Sequence, residues 1–257
     1  MNLGINGKRA LITGGGRGLG QSIAANLANE GVKIAAISRT PDDVYKLIEE
    51  LGGENNGHYA ISRDLTEDGS SNDVVLELNE KFGKPDILIN NLGGTLDIKD
   101  PFCSMDDWRK VWRFNLEVAI ELNNLLIPHM KEQRWGRIVN ISSISSLENQ
   151  GPVTYCTVKA ALTAYSRSMG RVLAPEGIVM TSLLPGAVFT EGGYWDYTSK
   201  DNPDHVKKYL EERMAIKRFG KPEEIGAIAT FLCSDQVSFC VGSSFLVDGG
   251  QGKCFQV

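Results

Sequence analysis

The sequence is poor in the features that mark several large functional classes. It holds no apolar segment of 18 residues, so no stretch has the roughly 20 residues that a membrane-spanning helix requires. The opening MNLGINGKRALITGG reaches glycines too soon to form the apolar region of a secretory signal, and a cytoplasmic location is expected. No run of lysine or arginine tracks a phosphate backbone, and the net charge is −5 with a pI near 5.4, which argues against nucleic acid and anionic membranes as partners. The five cysteines, Cys103, Cys156, Cys233, Cys240 and Cys254, have no C-x-x-C spacing, so free thiols acting as buried small hydrophobes are expected. His58, His129 and His205 lie far apart without an H-x-x-x-H partner, so no metal site is expected. The absence of G-x-S-x-G removes the nucleophile elbow of serine hydrolases. No internal repeat or low-complexity linker divides the chain.

What is present is an ordinary globular balance, 42% apolar and 23% charged over 257 residues, which suits one generous α/β domain spanning residues 1–257. Short β-rich runs alternate with longer helical patterns, the signature of βαβ units around a parallel sheet. Strands are expected at 8–13, 32–38, 58–63, 86–91, 136–142, 178–184 and 244–247. Helices are expected at 19–29, 42–51, 70–82, 105–130, 153–173 and 222–232. Pro41 and Pro222 fall at helix starts, where a missing N–H costs nothing. The fold class expected is therefore a doubly wound, Rossmann-type parallel sheet of about seven strands with helices on both faces. One long irregular piece at 186–218, with Tyr194, Trp195, Tyr197 and Tyr209 among polar residues, reads as a lid over an active site. Trp108 and Trp112 share one helical face and read as packing residues.

The glycine-dense TGGGRGLGQS at 13–22 follows the apolar run Ala10-Leu11-Ile12. Gly15, Gly20 and Ser22 would satisfy the phosphate loop of NTPases, but Gln21 stands where its lysine belongs, and an amide cannot neutralise the β- and γ-phosphates. The strict G-x-G-x-x-G fingerprint fails as well. T-G-x-x-x-G-x-G fits, through Thr13, Gly14, Gly18 and Gly20. Such a turn lets backbone approach a pyrophosphate at a helix N-terminus. Eighteen residues beyond Gly20 stand Ser38 and Arg39 instead of a carboxylate. A guanidinium and a hydroxyl there, with Arg17 in the turn, welcome a 2′-phosphate, so NADP(H) is favoured over NAD(H). Downstream, Tyr155 and Lys159 lie one helical turn apart in YCTVK, after a strand that ends in serines.

Taken together and in this order, these motifs resemble the short-chain dehydrogenase/reductase family over essentially the whole length. TGxxxGxG at 13–20, Asp64-Leu65, NNxG at 90–93, Asn115, a serine before YxxxK, Pro185-Gly186 with Thr190, and FLVDGG near the end carry the resemblance. It implies that Tyr155 is the acid/base, that Lys159 lowers its pKa and holds the nicotinamide ribose, that Ser143 orients the carbonyl, and that Asn115 helps a water relay protons. It assigns the cofactor to Gly14, Gly16, Arg17, Gly18, Leu19, Gly20, Ser38, Arg39, Asp64, Leu65, Asn91, Gly93, Tyr155, Lys159, Pro185, Gly186, Val188 and Thr190. It implies a homotetramer with the helices at 105–130 and 153–173 at an interface. A free tyrosine has a pKa of about 10, so bringing it near neutrality needs roughly 3–4 kcal/mol of favourable interaction.

Three positions depart from the family pattern. Ser143 lies twelve residues before Tyr155, whereas the commoner interval of thirteen selects Ser142; the strand end favours Ser143. Leu92 replaces the usual alanine and adds bulk beside the ribose, and Thr181 stands where asparagine is frequent. The expected reaction interconverts a secondary alcohol and a ketone on a small polyol or sugar-like substrate. A 3-oxoacyl-(acyl-carrier-protein) reductase is the alternative; Arg134 and Arg171 would serve its acidic carrier, but Glu176, where such reductases usually have arginine, would repel it. A catalytically silent nucleotide-binding protein is the rival from another class, and its case is weakened by the joint presence of Asn115, Ser143, Tyr155 and Lys159.

Overall fold

The computed structural model describes residues 1–255. Seven strands form one parallel sheet in the order β3-β2-β1-β4-β5-β6-β7: β1 Arg9–Thr13, β2 Lys33–Ser38, β3 Tyr59–Ser62, β4 Ile87–Asn90, β5 Gly136–Ile141, β6 Ile178–Pro185 and β7 Ser244–Val247. A strand covered on both faces reads as a mostly apolar run, and β4, β5 and β6 are buried at every position, the polar Asn90, Arg137, Asn140, Thr181 and Ser182 included. The helices are α1 Gly18–Asn29, α2 Pro41–Glu50, α3 Ser70–Lys81, α4 Met105–Trp112, α5 Val118–Glu132, α6 Val153–Leu173, α7 Tyr194–Asp201, α8 Pro203–Arg213 and α9 Pro222–Leu232. One core lies between the sheet and α1, α2 and α9, around Ile12, Ile23, Ile34 and Ile225. The other lies under α3, α5 and α6, around Leu11, Leu78, Leu122 and Ile138.

The strand order reverses between β1 and β4, so the crossovers leave on opposite faces there and open a crevice above the carboxyl ends of both strands. Thr13 closes its floor, accepting hydrogen bonds on Oγ1 from the Asn91 and Leu92 amides at 3.0 and 2.9 Å.

Three features differ from the sequence expectation. The segment 186–218 is not irregular: it carries α7 and α8, with Asn202 capping α8 through a bond from the His205 amide at 3.1 Å. The helix expected at 105–130 is interrupted by a π-turn at Arg113–Glu117 and continues through Pro128 to Glu132. Of the five cysteines only Cys233 is fully buried, with Cys240 partly buried against the same core, so packing as small hydrophobes describes those two. Trp112 is 38% exposed on α4. Among the described residues no helix is long and apolar enough to cross a membrane.

Candidate active site

The crevice above β1 and β4 is a cleft of about 460 Å³, and the glycine turn forms its wall. Gly14 and Gly18 hold φ angles of +60° and +59°, which side-chain-bearing residues rarely adopt. Gly20 has a different task. A Cβ there would lie 2.2 Å from the Gly14 carbonyl oxygen, so only glycine lets the first turn of α1 seat against the loop. Gly20 is thus absent from the cleft lining while the other seventeen expected cofactor residues are present in it. Asn91 donates from Nδ2 to the Thr13 and Gly14 carbonyls, each at 3.0 Å, and fixes the turn from the opposite side.

At the far end of the cleft stand Ser38 and Arg39. The Arg39 guanidinium is 75% exposed and reaches Asp64 only at 3.8 Å, so it is free to turn to another anion. Burial alone would raise the Asp64 carboxyl, but hydrogen bonds from the Thr66 amide and hydroxyl, helped by Arg39, outweigh it and hold the acid below its ordinary value. Arg63, which sequence reasoning missed, also lines the cleft, but Asp73 and Glu77 neutralise it at 3.2 and 3.5 Å. Leu92 lies in the lining as well.

The opposite end of the cleft opens into a second cavity of about 830 Å³. Ser143, Tyr155, Gly186 and Trp195 line both. Successive residues at a strand end face opposite ways, and this separates the two serines. Ser142 Oγ is occupied by the Lys159 carbonyl at 3.1 Å and Thr163 Oγ1 at 2.8 Å, inside α6. Ser143 Oγ accepts from the Ser145 amide at 3.1 Å, which leaves its own proton free, and it hydrogen-bonds the Tyr155 phenol. The Lys159 ammonium lies 5.6 Å from the centre of the Tyr155 ring and donates to the Ile141 carbonyl at 2.8 Å.

Electrostatics here differ from the expectation. Burial pushes the Tyr155 phenol above its ordinary value, and the bond from Ser143 is the influence that pulls it down. Burial also lowers Lys159, to about 8, because Nζ is enclosed with a single carbonyl partner and no counter-charge. The chain by itself therefore keeps the phenol protonated. Asn115 is not in the lining of either cavity. It sits in the π-turn, and its amide clamps the loop after β4 by exchanging bonds of 2.9 Å with the Gly94 N–H and C=O. Gly93 and Lys159 adjoin it: a Cβ on Gly93 would lie 2.6 Å from Asn115 Oδ1 and 2.8 Å from Lys159 Nζ.

The second cavity is walled by elements whose role no local motif announces. Trp195 of α7 stacks among Tyr194, Tyr209 and Phe219, with ring centres 4.9, 4.3 and 4.7 Å away. Gln251, buried after β7, accepts from the Ala187 amide at 2.7 Å and donates to Tyr209 Oη at 2.8 Å and Gln150 Oε1 at 3.0 Å. Glu148 receives the amides of Lys253 and Cys254, the latter at 2.7 Å, and so holds the tail against the loop after β5. These partners are separated by up to 106 residues, beyond the reach of any spacing argument.

A family model described as enoyl-(acyl carrier protein) reductase matches residues 14–251. The chain is 32% identical over 252 residues to the 3-oxoacyl-(acyl-carrier-protein) reductase FabG of Aquifex aeolicus, covering 97% of this chain and 99% of that one. It is 33% identical over 247 residues to the protein of the same name from Buchnera aphidicola, with 96% and 98% covered. Among solved structures it resembles L-sorbose reductase from Gluconobacter frateurii complexed with NADPH and L-sorbose, at 30% identity and a TM-score of 0.91, over 99% of this chain and 100% of that one. A 3-oxoacyl (acyl-carrier-protein) reductase from Agrobacterium tumefaciens with NADP bound gives a TM-score of 0.88 at 28% identity, with 97% and 96% covered. A glycine turn at the sheet's switch point, a tyrosine and lysine one helical turn apart, and likeness along nearly the full chain make this an oxidoreductase of the short-chain dehydrogenase/reductase family.

Proposed function

We propose that the protein is an NADP(H)-dependent oxidoreductase that interconverts a secondary alcohol and a ketone on a small polyol or sugar-like substrate. The observation that carries this reading is the meeting of two cavities at Ser143 and Tyr155, one shaped by a glycine turn and ending in an available guanidinium, the other lined by polar and aromatic groups. The cleft fits the cofactor on its own evidence: the turn leaves backbone bare, and Ser38, Arg39 and Arg17 offer donors without an acid at the end of β2. When bound there, a nicotinamide cofactor supplies or accepts hydride.

The chain's own groups handle the proton. In reduction Tyr155 gives its proton to the carbonyl oxygen while Ser143 donates a hydrogen bond to the same atom, and Lys159 is placed to replenish charge beneath the phenol. In alcohol oxidation the phenolate must form first, and its stabilisation falls to Ser143, Lys159 and the positive charge of the oxidised cofactor. Asn115 acts by holding the Gly93-Gly94 backbone in register.

The sugar reading draws support from the polar lining and from the L-sorbose reductase likeness. The carrier-protein reading draws on the named relatives, but Glu176 pairs with Arg134 at 3.7 Å and removes one of the two cations that would greet an acidic carrier. We place the protein in the cytoplasm as a homotetramer. Incubation with NADPH and a panel of ketoses and 3-oxoacyl thioesters tests the reading: loss of nicotinamide absorbance with ketoses supports it, and loss with thioesters alone overturns the substrate class.

A further inference from the structure

One wall of the second cavity is α8, and this helix is unusual in having no buried residue at all. Its cavity-lining positions are His205, Lys208, Tyr209, Glu212 and Arg213. Their spacing is that of the face which, in a helix packed on a core, would be apolar. Here it carries charge and hydrogen-bonding groups, so the face is built to meet a polar occupant.

Donors and acceptors on that face do not balance. Lys208 lies 3.9 Å from Glu212, the one acid among the lining residues, and the two offset each other. The Arg213 side chain has no ion pair or hydrogen bond among the described residues, which leaves five N–H donors without an acceptor. Beside it, Tyr209 Oη accepts from Gln251 Nε2 at 2.8 Å, so the phenol's own hydrogen remains to be donated. Arg213 stands one helical turn beyond Tyr209 on the same cavity-lining face, and its charge opposes the rise that burial gives the Tyr209 phenol. Gln251 is in turn pinned by Ala187 and Gln150, so the Tyr209 hydroxyl sits on a fixed mount.

We infer that Arg213 and Tyr209 form an anion subsite on the α8 wall of the substrate cavity, and that the substrate is a polyhydroxy ketone carrying a terminal acid group. This rests on the polyol reading above and narrows it. A guanidinium beside a phenol donor matches a carboxylate or a phosphate ester, both of which present paired oxygens.

The test compares matched substrates that differ only in the terminal group: a neutral ketose, the keto acid of equal chain length, and the ketose phosphate. Each is assayed with NADPH for kcat and KM in the wild type and in Arg213→Ala, Arg213→Lys and Arg213→Glu. Arg213 is exposed and has no described partner, so the variants are expected to fold, which melting curves check. The wild type should favour an anionic substrate over the neutral one by roughly ten-fold or more in kcat/KM, the size of one charge-assisted pair. That ratio should collapse in Arg213→Ala, mainly through KM, return in part in Arg213→Lys, and invert in Arg213→Glu. Which anion gains most separates carboxylate from phosphate. A ratio near one in the wild type, or one unmoved by Arg213→Ala, overturns the subsite and leaves the polyol reading standing. Turnover of a 3-oxoacyl thioester with none of the three ketones overturns both.

Discussion

At the scale of single residues, the site works by leaving some charges unpaired and burying others. Arg39 faces the cleft end with only a long contact to Asp64. Arg39→Ala should raise the KM for NADPH by roughly 10- to 100-fold, as expected for a lost charge-assisted bond worth about 1.5–3 kcal/mol, while leaving the KM for NADH nearly unchanged. Steady-state kinetics with both cofactors check this, and parallel losses for the two would contradict a 2′-phosphate role. Lys159 is buried as a cation against one carbonyl and is held at about 8, below its ordinary 10.5. Below pH 8 both folded and unfolded chains carry the proton, so the folded state bears the full burial cost of about 3 kcal/mol. Between pH 8 and 10.5 the folded chain has released the proton and the unfolded chain has not, so stability rises with pH through that window. Lys159→Met should therefore be more stable than wild type at pH 7, by roughly 1–3 kcal/mol, and the gap should close as pH passes from 8 to 10.5. Denaturant melts of the cofactor-free protein at pH 7 and 10 measure it, and a variant less stable at pH 7 would refute the assignment. Tyr155 and Lys159 were legible in YCTVK because one helical turn fixes their geometry. The direction of the Tyr155 shift was not, because it depends on enclosure by distant segments.

Among the elements, the segment 186–218 is where sequence reasoning was least informative. Its polar, aromatic composition lacks an apolar stripe of helical period, and α8 accordingly buries nothing. What holds α7 and α8 in place is the Trp195 cluster together with Asp196, which accepts from the Gly192 amide at 2.9 Å and pairs with Lys200 at 2.9 Å. Trp195→Ala removes ring contacts worth about 0.5–1.5 kcal/mol each. Limited proteolysis should then cut preferentially within 186–218, and substrate KM should rise more than kcat falls. Uniform protection of that segment would show that α7 and α8 are held by something else. The π-turn at Arg113–Glu117 likewise left no mark in the periodicity of 105–132, since a single extra residue shifts phase too little to separate two short helices from one long one. The prolines at α2 and α9 were readable because their constraint is local.

For the whole molecule, the alternation of apolar strand and amphipathic helix suffices to specify a parallel sheet, and the right-handed crossover rule leaves little choice of order. The glycine turn then had to stand at the carboxyl end of β1, beside the switch point, and it does. The second cavity is a property of the assembled chain: Ser143, Trp195, Tyr209 and Gln251 come from four separate regions. A homotetramer predicts a sedimenting mass four times 28.1 kDa, and a monomeric mass would contradict it. Trp112, exposed on α4, is a residue such an interface would cover.

Tyr155 is proposed to move a proton where the two cavities join. Pre-steady-state reduction of a responsive ketone by NADPH, in wild type and Tyr155→Phe at matched cofactor saturation, addresses this most directly. The prediction is a fall of about 10²–10⁴-fold in the rate of nicotinamide oxidation with NADPH affinity little changed. A wild-type rate in Tyr155→Phe would contradict it.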